Sequence, residues 1–478
     1  MEELFPPARI LLNSVEKTKP AASEVEFVFS DYKNGKTSPE KKMGLVSPVT
    51  DEKGRVRYLV SLGDRKKPDN LTYFRAAGGF ARYCNDHPVD EVLLDVSQAA
   101  IHADMQIVRS ILEGLSIGGF NFDRYKTKST QRTTPIKVNV FSPEKKDLDS
   151  EVNRAGVLGA VLDLARDWIH EPGNKIDPQT LEDRAVYAAK EFGLTCKVLH
   201  YEELVKMGAG GIAAVGRGSQ VKPRLIVLEY TGAGSAKPIA LVGKAITFDT
   251  GGYSLKGTDY IKGMKYDKAG GISVLATIIA AARLKLKANL VAVIPTAENM
   301  ISGDAYRPDD ILTLLSGQTV EITTTDAEGR LILADALTYT QNVYKPSAII
   351  DIATLTGGVL IALGTLRAGL LSNSDSLADM VFKLGEKNGE KVWRLPMDDG
   401  YFDLIKGDDA DMKNAGAREA STIVGGIFLK QVVDDSIPWA HLDIAGTGES
   451  DNETTWCSKG PTGFGIRLML DAIEELSK

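Results

Sequence analysis

Apolar residues along this chain follow two periods, and the period decides the element. GRVRYLVSLGD (54–64) and DEVLLDVS (90–97) are short runs rich in branched apolar residues and predict strands. Between them, NLTYFRAAGGFARYCNDH (70–87) spaces its apolar residues every three or four positions, as a helix does. DMQIVRSILEGLSIGGF (104–120) reads as a second helix and TPIKVNVFS (134–142) as a final strand. RYKTKSTQRTT (124–134) is polar and basic and predicts an exposed loop, and SPEKKDLDSE (142–151) a charged connector. Such charge runs read first as solvated surface.

A long helical pattern follows, VNRAGVLGAVLDLARDWI (152–169), stopped by the breaker HEPGN. From there strands and helices alternate. PRLIVLEYT, KPIALVGKAITFD, ANLVAVIPT and PSAIIDIATLT are continuous apolar runs of buried-strand type, while GGISVLATIIAAARLK and RLILADALTYTQNV are helical. That alternation predicts an α/β fold with a mainly parallel sheet covered by helices on both faces. We expect two domains: residues 1–148 as a smaller α/β domain and 149–478 as a larger catalytic domain, with 149–172 a linking helix. GAGGIAAVGRGS (208–219) is glycine-rich, fits no nucleotide pattern and is expected to be a flexible loop.

Composition narrows the function classes. The 478 residues allow well-buried cores, and 25% charged with 43% hydrophobic residues is ordinary for a soluble globular protein. A net charge of −7 argues against coating DNA, which needs a basic surface. Cys84, Cys196 and Cys457 are odd in number and widely spaced, so neither a disulfide framework nor a CxxC knuckle fits. The opening MEELFPPARILLNS has no long apolar run, so no signal peptide is expected, and no stretch approaches a membrane span. A reduced, cytoplasmic compartment is the expectation. His87, His102, His170, His200 and His441 form no HExxH or close pair, which turns the search for metal ligands to oxygen donors.

In open α/β sheets, sites lie at the carboxyl ends of strands. Two strand ends carry unusual residues here. In LVGKAITFDTGGYSLKGTDYIKGMKYDKAGG, Lys244 sits inside an apolar run, Asp249 ends it, and Lys256 and Asp267 follow in the next loop. In TVEITTTDAEGRLILADAL, Asp326 and Glu328 lie just before a helix expected to begin near Arg330. Two residues apart in an extended segment, their side chains share one face. Taken singly, each feature has a plainer account: acids at a helix N-terminus, a snorkelling lysine, surface cations. Taken together, several converging acids repel one another, and two bridged divalent ions offset that charge while activating water. A phosphate loop fails, because VGKA has Pro238 where the first glycine belongs and no Ser or Thr after Lys244. No GxSxG elbow is present.

These stretches resemble the leucyl aminopeptidase family of cytosolic dinuclear metallopeptidases. The family signature is close to NTDAEGRL, and residues 324–331 read TTDAEGRL. VGKAITFDTGG, MKYD, ENMISGDAYRPDDI, DIATLTGG, VWRLPM, WAHLDIAGT and KGPTGFG follow in family order. The resemblance runs from about residue 165 to the C-terminus; the first 148 residues match only in size and character. It implies that Asp249 and Glu328 bridge two divalent ions, that Lys244 as a neutral amine and Asp267 complete one shell, and that Asp326 serves the other. It implies that Lys256 polarises the scissile carbonyl and that Arg330 holds a bicarbonate, which takes the proton of the bridging water. Met264, Thr354, Leu355, Gly357 and Ala445 are implied to line the first side-chain pocket, with an apolar preference. The ions would be manganese or zinc, with magnesium a further candidate. Peptides would be the substrates, and the assembly a homohexamer of two stacked trimers. Thr324, Asp309, Pro461 and the HEPGN turn depart from the family pattern. Two other classes stay open: a DNA-binding accessory protein on the same scaffold, and dinuclear phosphoester hydrolysis.

Overall fold

A computed structural model describes residues 9–16, 23–32, 41–64, 68–98, 101, 104–128, 132, 134–143 and 147–478. Parts of the expected 124–134 loop and 142–151 connector lie outside the described residues, as does His102. The chain divides into two compact units. The first holds residues up to Leu164 with 387–389 and 450–460, and the second holds the remainder. The division therefore falls inside the helix that follows the connector.

The first unit carries a six-stranded sheet in the order β1-β6-β5-β2-β4-β3. Its strands are β1 (Ile10–Val15), β2 (Ser23–Val28), β3 (Val46–Thr50), β4 (Val56–Ser61), β5 (Glu91–Asp95) and β6 (Ile136–Phe141). The strands pair parallel except β3, which runs antiparallel to β4. Hydrophobic patterning identified β4, β5 and β6; the first three strands are short and half polar. Helix α1 (Asn70–Asp86) starts at an Asp69–Thr72 capping box. It packs against α2 (Met105–Gly118), where a Cβ on Gly118 would lie 2.3 Å from the Gly78 Cα, so only glycine lets these backbones approach.

Helix α3 (Leu148–His170) ends at HEPGN as expected. The second unit is built on a nine-stranded sheet. Its strands are β7 (Thr195–Leu199), β8 (Arg224–Thr231), β9 (Ile239–Gly243), β10 (Ala245–Asp249), β11 (Asn289–Asn299), β14 (Ala348–Ala353), β15 (Ala368–Ser372), β16 (Val392–Arg394) and β18 (Trp439–Asp443). Strands β12 (Ile311–Thr313), β13 (Thr319–Glu321) and β17 (Met412–Lys413) form a separate small sheet. The central strands β18, β14, β9 and β11 are parallel, and β10 pairs parallel with β11. Antiparallel pairings of β15 with β18, β11 with β8 and β8 with β7 extend it on both sides, so the sheet is mixed.

The helices are α4 (Pro178–Phe192), α5 (Tyr201–Met207), α6 (Gly210–Gly216), α7 (Thr258–Ile261), α8 (Ala269–Arg283), α9 (Glu328–Tyr344), α10 (Gly357–Leu363), α11 (Asp375–Asn388), α12 (Ser421–Lys430) and α13 (Ile466–Leu476). Alternate residues of β9 and β11 (Ala240, Val242, Val291, Val293) pack with α9, α6 and α12 in one core. Helix α8, with α4 and α13 beside it, covers the same strands from the other side. Buried on both faces, β9 is apolar throughout and β14 is apolar but for the buried Asp351, which His441 of β18 partners at 2.6 Å, so both strands read as continuous apolar runs.

Two expectations are corrected. The glycine-rich 208–219 segment is not a flexible loop: Gly210–Gly216 form α6, buried under α9. A Cβ on Gly210 would lie 2.1 Å from the Thr313 carbonyl oxygen and one on Gly211 2.4 Å from that of Leu331, so the glycines serve close packing. KPIALVGKAITFD is also not one strand. It breaks at Lys244 into β9 and β10, and β10 slips register between Ile246 and Phe248.

Candidate metal centre

Strands β10, β11, β14 and β18 of the second unit run the same way and end at one edge. Asp249 ends β10, Asn299 ends β11, Thr354 follows β14 and Asp443 ends β18. The first turn of α9 arrives at the same edge with Glu328 as its first residue. This corrects the sequence expectation in detail. The helix begins at Glu328, and Asp326 and Glu328 do not share the face of an extended segment. They converge because the chain turns between them: Asp249, Asp326 and Glu328 each present a carboxylate oxygen, all within 4.8 Å of one another.

The turn after Asp249 depends on glycine. Gly251 and Gly252 have φ of 83° and 62°, and a Cβ on Gly251 would meet Asp326 Oδ1 at 2.9 Å. This brings Lys256 back over the acids. Its ammonium lies 2.9 Å from Asp249 Oδ2 and 2.5 Å from Asp326 Oδ1. Lys244, at the break between β9 and β10, projects its ammonium 2.8 Å from Asp267 Oδ1 and 2.8 Å from Glu328 Oε1. It also donates to the Thr354 carbonyl at 3.0 Å. The five sequence-identified ligands and Lys256 thus form one cup.

Burial and charge set the protonation of this cup. Burial pulls both ammoniums down, but the surrounding acids outweigh it and hold Lys244 and Lys256 above the ordinary lysine range. Burial pushes Asp267 up to about 7, against Lys244, and Asp326 up to about 6, against Lys256. Burial also raises Asp249, and Glu328 adds to it. Glu328 goes the other way, because Lys244 and Lys256 outweigh its burial.

The donor set fits divalent cations. Asp267 Oδ2 and Glu328 Oε2 are buried without a hydrogen-bond partner, and each has its other oxygen on Lys244. Most buried carboxylate oxygens in folded proteins have a hydrogen-bond partner, and hard cations take such oxygens. Arg330, in the first turn of α9, is buried, donates to the Asn414 carbonyl at 2.7 Å, and has its Nε unpartnered. Burial lowers its guanidinium to about 10, against Glu328 and Asp443. The orphaned N–H can donate to a small anion.

The residues that the resemblance assigns to the first side-chain pocket lie on several segments, one of them bonded to a residue of the cup. Met264 opens the 3₁₀ turn that precedes Asp267. Thr354 donates its hydroxyl to Asp267 Oδ1 at 2.7 Å. Buried Asp443 accepts from the N–H groups of Leu355 at 3.1 Å and Ala445 at 3.2 Å, so one carboxylate ties these two segments together. Gly357 begins α10 and has open space where a side chain would stand.

Comparison with known proteins identifies the family. The catalytic-domain profile of the cytosol aminopeptidase family matches residues 163–470, and its N-terminal-domain profile matches 35–129. The chain belongs to the cytosol aminopeptidase family. It is 43% identical over 424 residues to a probable cytosol aminopeptidase of Syntrophotalea carbinolica, spanning 87% of this chain and 85% of that one. A probable cytosol aminopeptidase of Aquifex aeolicus is 40% identical, spanning 88% and 85%. Among solved structures, the bottromycin maturation enzyme BotP in complex with Mn superposes with a TM-score of 0.87 at 31% identity, covering 96% of this chain and 100% of that one. The cytosol aminopeptidase of Coxiella burnetii gives 0.85 at 27% identity, covering 97% and 99%. As a member of the cytosol aminopeptidase family, the chain is a metal-dependent exopeptidase that removes N-terminal residues.

Three of the departures from the cytosol aminopeptidase pattern, Asp309, Thr324 and HEPGN, have a local structural account. Asp309 replaces glycine at a φ of 72°, a left-handed position that aspartate tolerates better than most residues. The Thr324 hydroxyl accepts from the Asp326 N–H at 3.2 Å, a local turn that points the acid. HEPGN ends α3 next to the MKYDK turn. The wholly buried Lys268 donates to the carbonyls of Ile169 at 3.1 Å and Glu171 at 2.9 Å, and Lys265 to that of His170 at 2.7 Å. Sequence reasoning missed Asn299, Thr325, Asp443 and Lys268. Position at a strand end was the available signal for Asn299 and Asp443. Nothing local marked Thr325 or Lys268.

Proposed function

We propose that this chain releases the N-terminal residue of peptides, with preference for an apolar first residue, at a centre of two divalent ions. Asp249 and Glu328 would be shared between the ions, with Lys244 and Asp267 on one and Asp326 on the other. The observation that carries this reading is the cup of four acids and two lysines, in which two buried carboxylate oxygens stand without partners. When bound, the ions supply Lewis-acid polarisation and an activated water.

The chain's own residues supply the rest. Lys256, at the mouth of the cup, is placed to donate to the carbonyl oxygen of the scissile bond and steady its developing charge. Lys244 can ligate only as a free amine, so cation binding must displace the proton its acidic neighbours hold. Arg330, with its free N–H, is suited to hold a bicarbonate that accepts a proton from the attacking water. Met264, Thr354, Leu355, Gly357 and Ala445 bound the space for the first side chain. Manganese, zinc and magnesium all suit oxygen donors with one amine; manganese is bound by the similar BotP. A cytoplasmic homohexamer is part of the same proposal.

The direct test uses the pure protein with leucyl anilide. It should release leucine, lose that activity to a chelator, and regain it with Mn²⁺. Hydrolysis of nitrophenyl phosphate with none of the anilide would instead select phosphoester chemistry.

A further inference from the structure

The ENMISGDAYRPDDI stretch supplies no ligand to the cup, yet one of its side chains touches the cup at two points. Asn299 ends β11, in parallel register beside Asp249, and is fully buried. Its Nδ2 donates to Asp249 Oδ1 at 2.8 Å and to the Thr325 carbonyl at 2.9 Å. Both neighbours can only accept, which fixes the orientation of the carboxamide: turned over, its oxygen would face two oxygens.

Two consequences follow from this geometry. Asp249 Oδ1 takes a second hydrogen bond from the Gly251 N–H at 2.8 Å, so that oxygen is committed to the protein. Oδ2, facing Lys256, is the one left for a cation. Second, Thr325 directly precedes Asp326 and is itself locked. Its carbonyl also accepts from the Tyr306 hydroxyl at 2.7 Å, and its hydroxyl donates to the Gly251 carbonyl at 2.5 Å. The same amide therefore sets the spacing between Asp249 and the segment that carries Asp326.

We infer that Asn299 is a positioning residue for the metal centre, holding Asp249 and, through Thr325, Asp326 at the separation the ions require. The inference rests on the two-ion reading above. Partners of this kind orient ligands that would otherwise rotate, and losing one typically weakens metal binding ten- to a hundredfold.

The test titrates Mn²⁺ into chelator-stripped parent, Asn299→Leu and Asn299→Ala by calorimetry, with folding followed by circular dichroism. A parent that neither binds Mn²⁺ nor hydrolyses leucyl anilide overturns the two-ion reading itself. With an active parent, we expect folded variants to bind Mn²⁺ about ten- to a hundredfold more weakly. At saturating Mn²⁺ their kcat should fall with KM little changed, since the substrate pocket is untouched. A merely structural role would lower the melting temperature alone. A folded variant whose Mn²⁺ affinity stays within about twofold of the parent overturns the inference. Should neither variant fold, crystals of the Mn²⁺-loaded parent decide. The metal must then contact Oδ2 of Asp249 while Asn299 keeps both acceptors; a metal on Oδ1, or a carboxamide turned away, overturns it.

Discussion

Lys244 lies between Asp267 and Glu328 with 3% of its side chain exposed, whereas Lys256 keeps 15% and spans Asp249 and Asp326. The deeper lysine suits a ligand and the shallower one suits a group that meets substrate. Asp249→Ala or Glu328→Ala should lower kcat/KM by at least about a hundredfold and reduce bound metal, measured by anilide hydrolysis and elemental analysis. Lys256→Met should keep its metal and lose about a hundred- to a thousandfold in kcat, as removal of an oxyanion donor does. Protons compete with cations here. Asp267 and Asp326 are raised to about 7 and about 6, so both must shed protons to ligate, and Mn²⁺ affinity should fall as pH drops through that range. The metal-free protein should show the opposite trend. An acid raised by folding contributes stability that is present below its ordinary value and lost as pH rises through the raised one. Its melting temperature should therefore decline from pH 6 to 7.5, while the loaded protein gains. Melting curves with and without Mn²⁺ check both signs.

Helix α9 shows how an element is held at the height its site requires. Its buried Asp335 accepts from the N–H groups of Ile212 at 2.9 Å and Leu315 at 2.8 Å, fastening α6 and the loop after β12 to the helix that begins with Glu328. Asp335→Ala strands those buried donors and should cost on the order of 3 kcal/mol, read by urea denaturation. Asp309→Gly acts in the other direction. It relieves a left-handed residue at the entry to β12, and the gain, offset by glycine's greater chain entropy, should be at most about 1 kcal/mol. A loss of stability would show that the Asp309 side chain matters more than its backbone. At this scale patterning served well for β8, β11, β14, α8 and α9, whose apolar content matches their burial. It failed at α6, because glycine signals turns locally and close packing only in context. It failed at Lys244 too, because an apolar run does not reveal where its hydrogen bonding switches.

The whole molecule places its chemistry by topology. Parallel pairing of β18, β14, β9 and β11 brings strand ends from distant parts of the sequence to a single edge of the catalytic unit. Tyr260, Ile361 and Leu366 leave 76%, 75% and 79% of their surface exposed, apolar area that a subunit interface would cover. The proposed homohexamer predicts a light-scattering mass six times that of the 51.6 kDa chain. Ile361→Asp should shift it toward smaller species if that residue lies in the interface. A monomeric parent would remove the hexamer from the proposal.

The residues able to carry the chemistry were legible without coordinates. Lys244 and Asp249 stand out as charges inside and at the end of an apolar run, whereas Asp267, Asp326 and Glu328 are marked by the order of motifs that resembles the family. Their supports were not legible. Asn299, Thr325 and Asp443 are ordinary polar residues in sequence, and their roles exist only because β10, β11, β14 and β18 finish side by side. Composition and period fix which residues are charged and which segments are buried. Only the folded sheet decides which of them meet, since a hydrogen bond of 2.8 Å between residues fifty positions apart leaves no local trace.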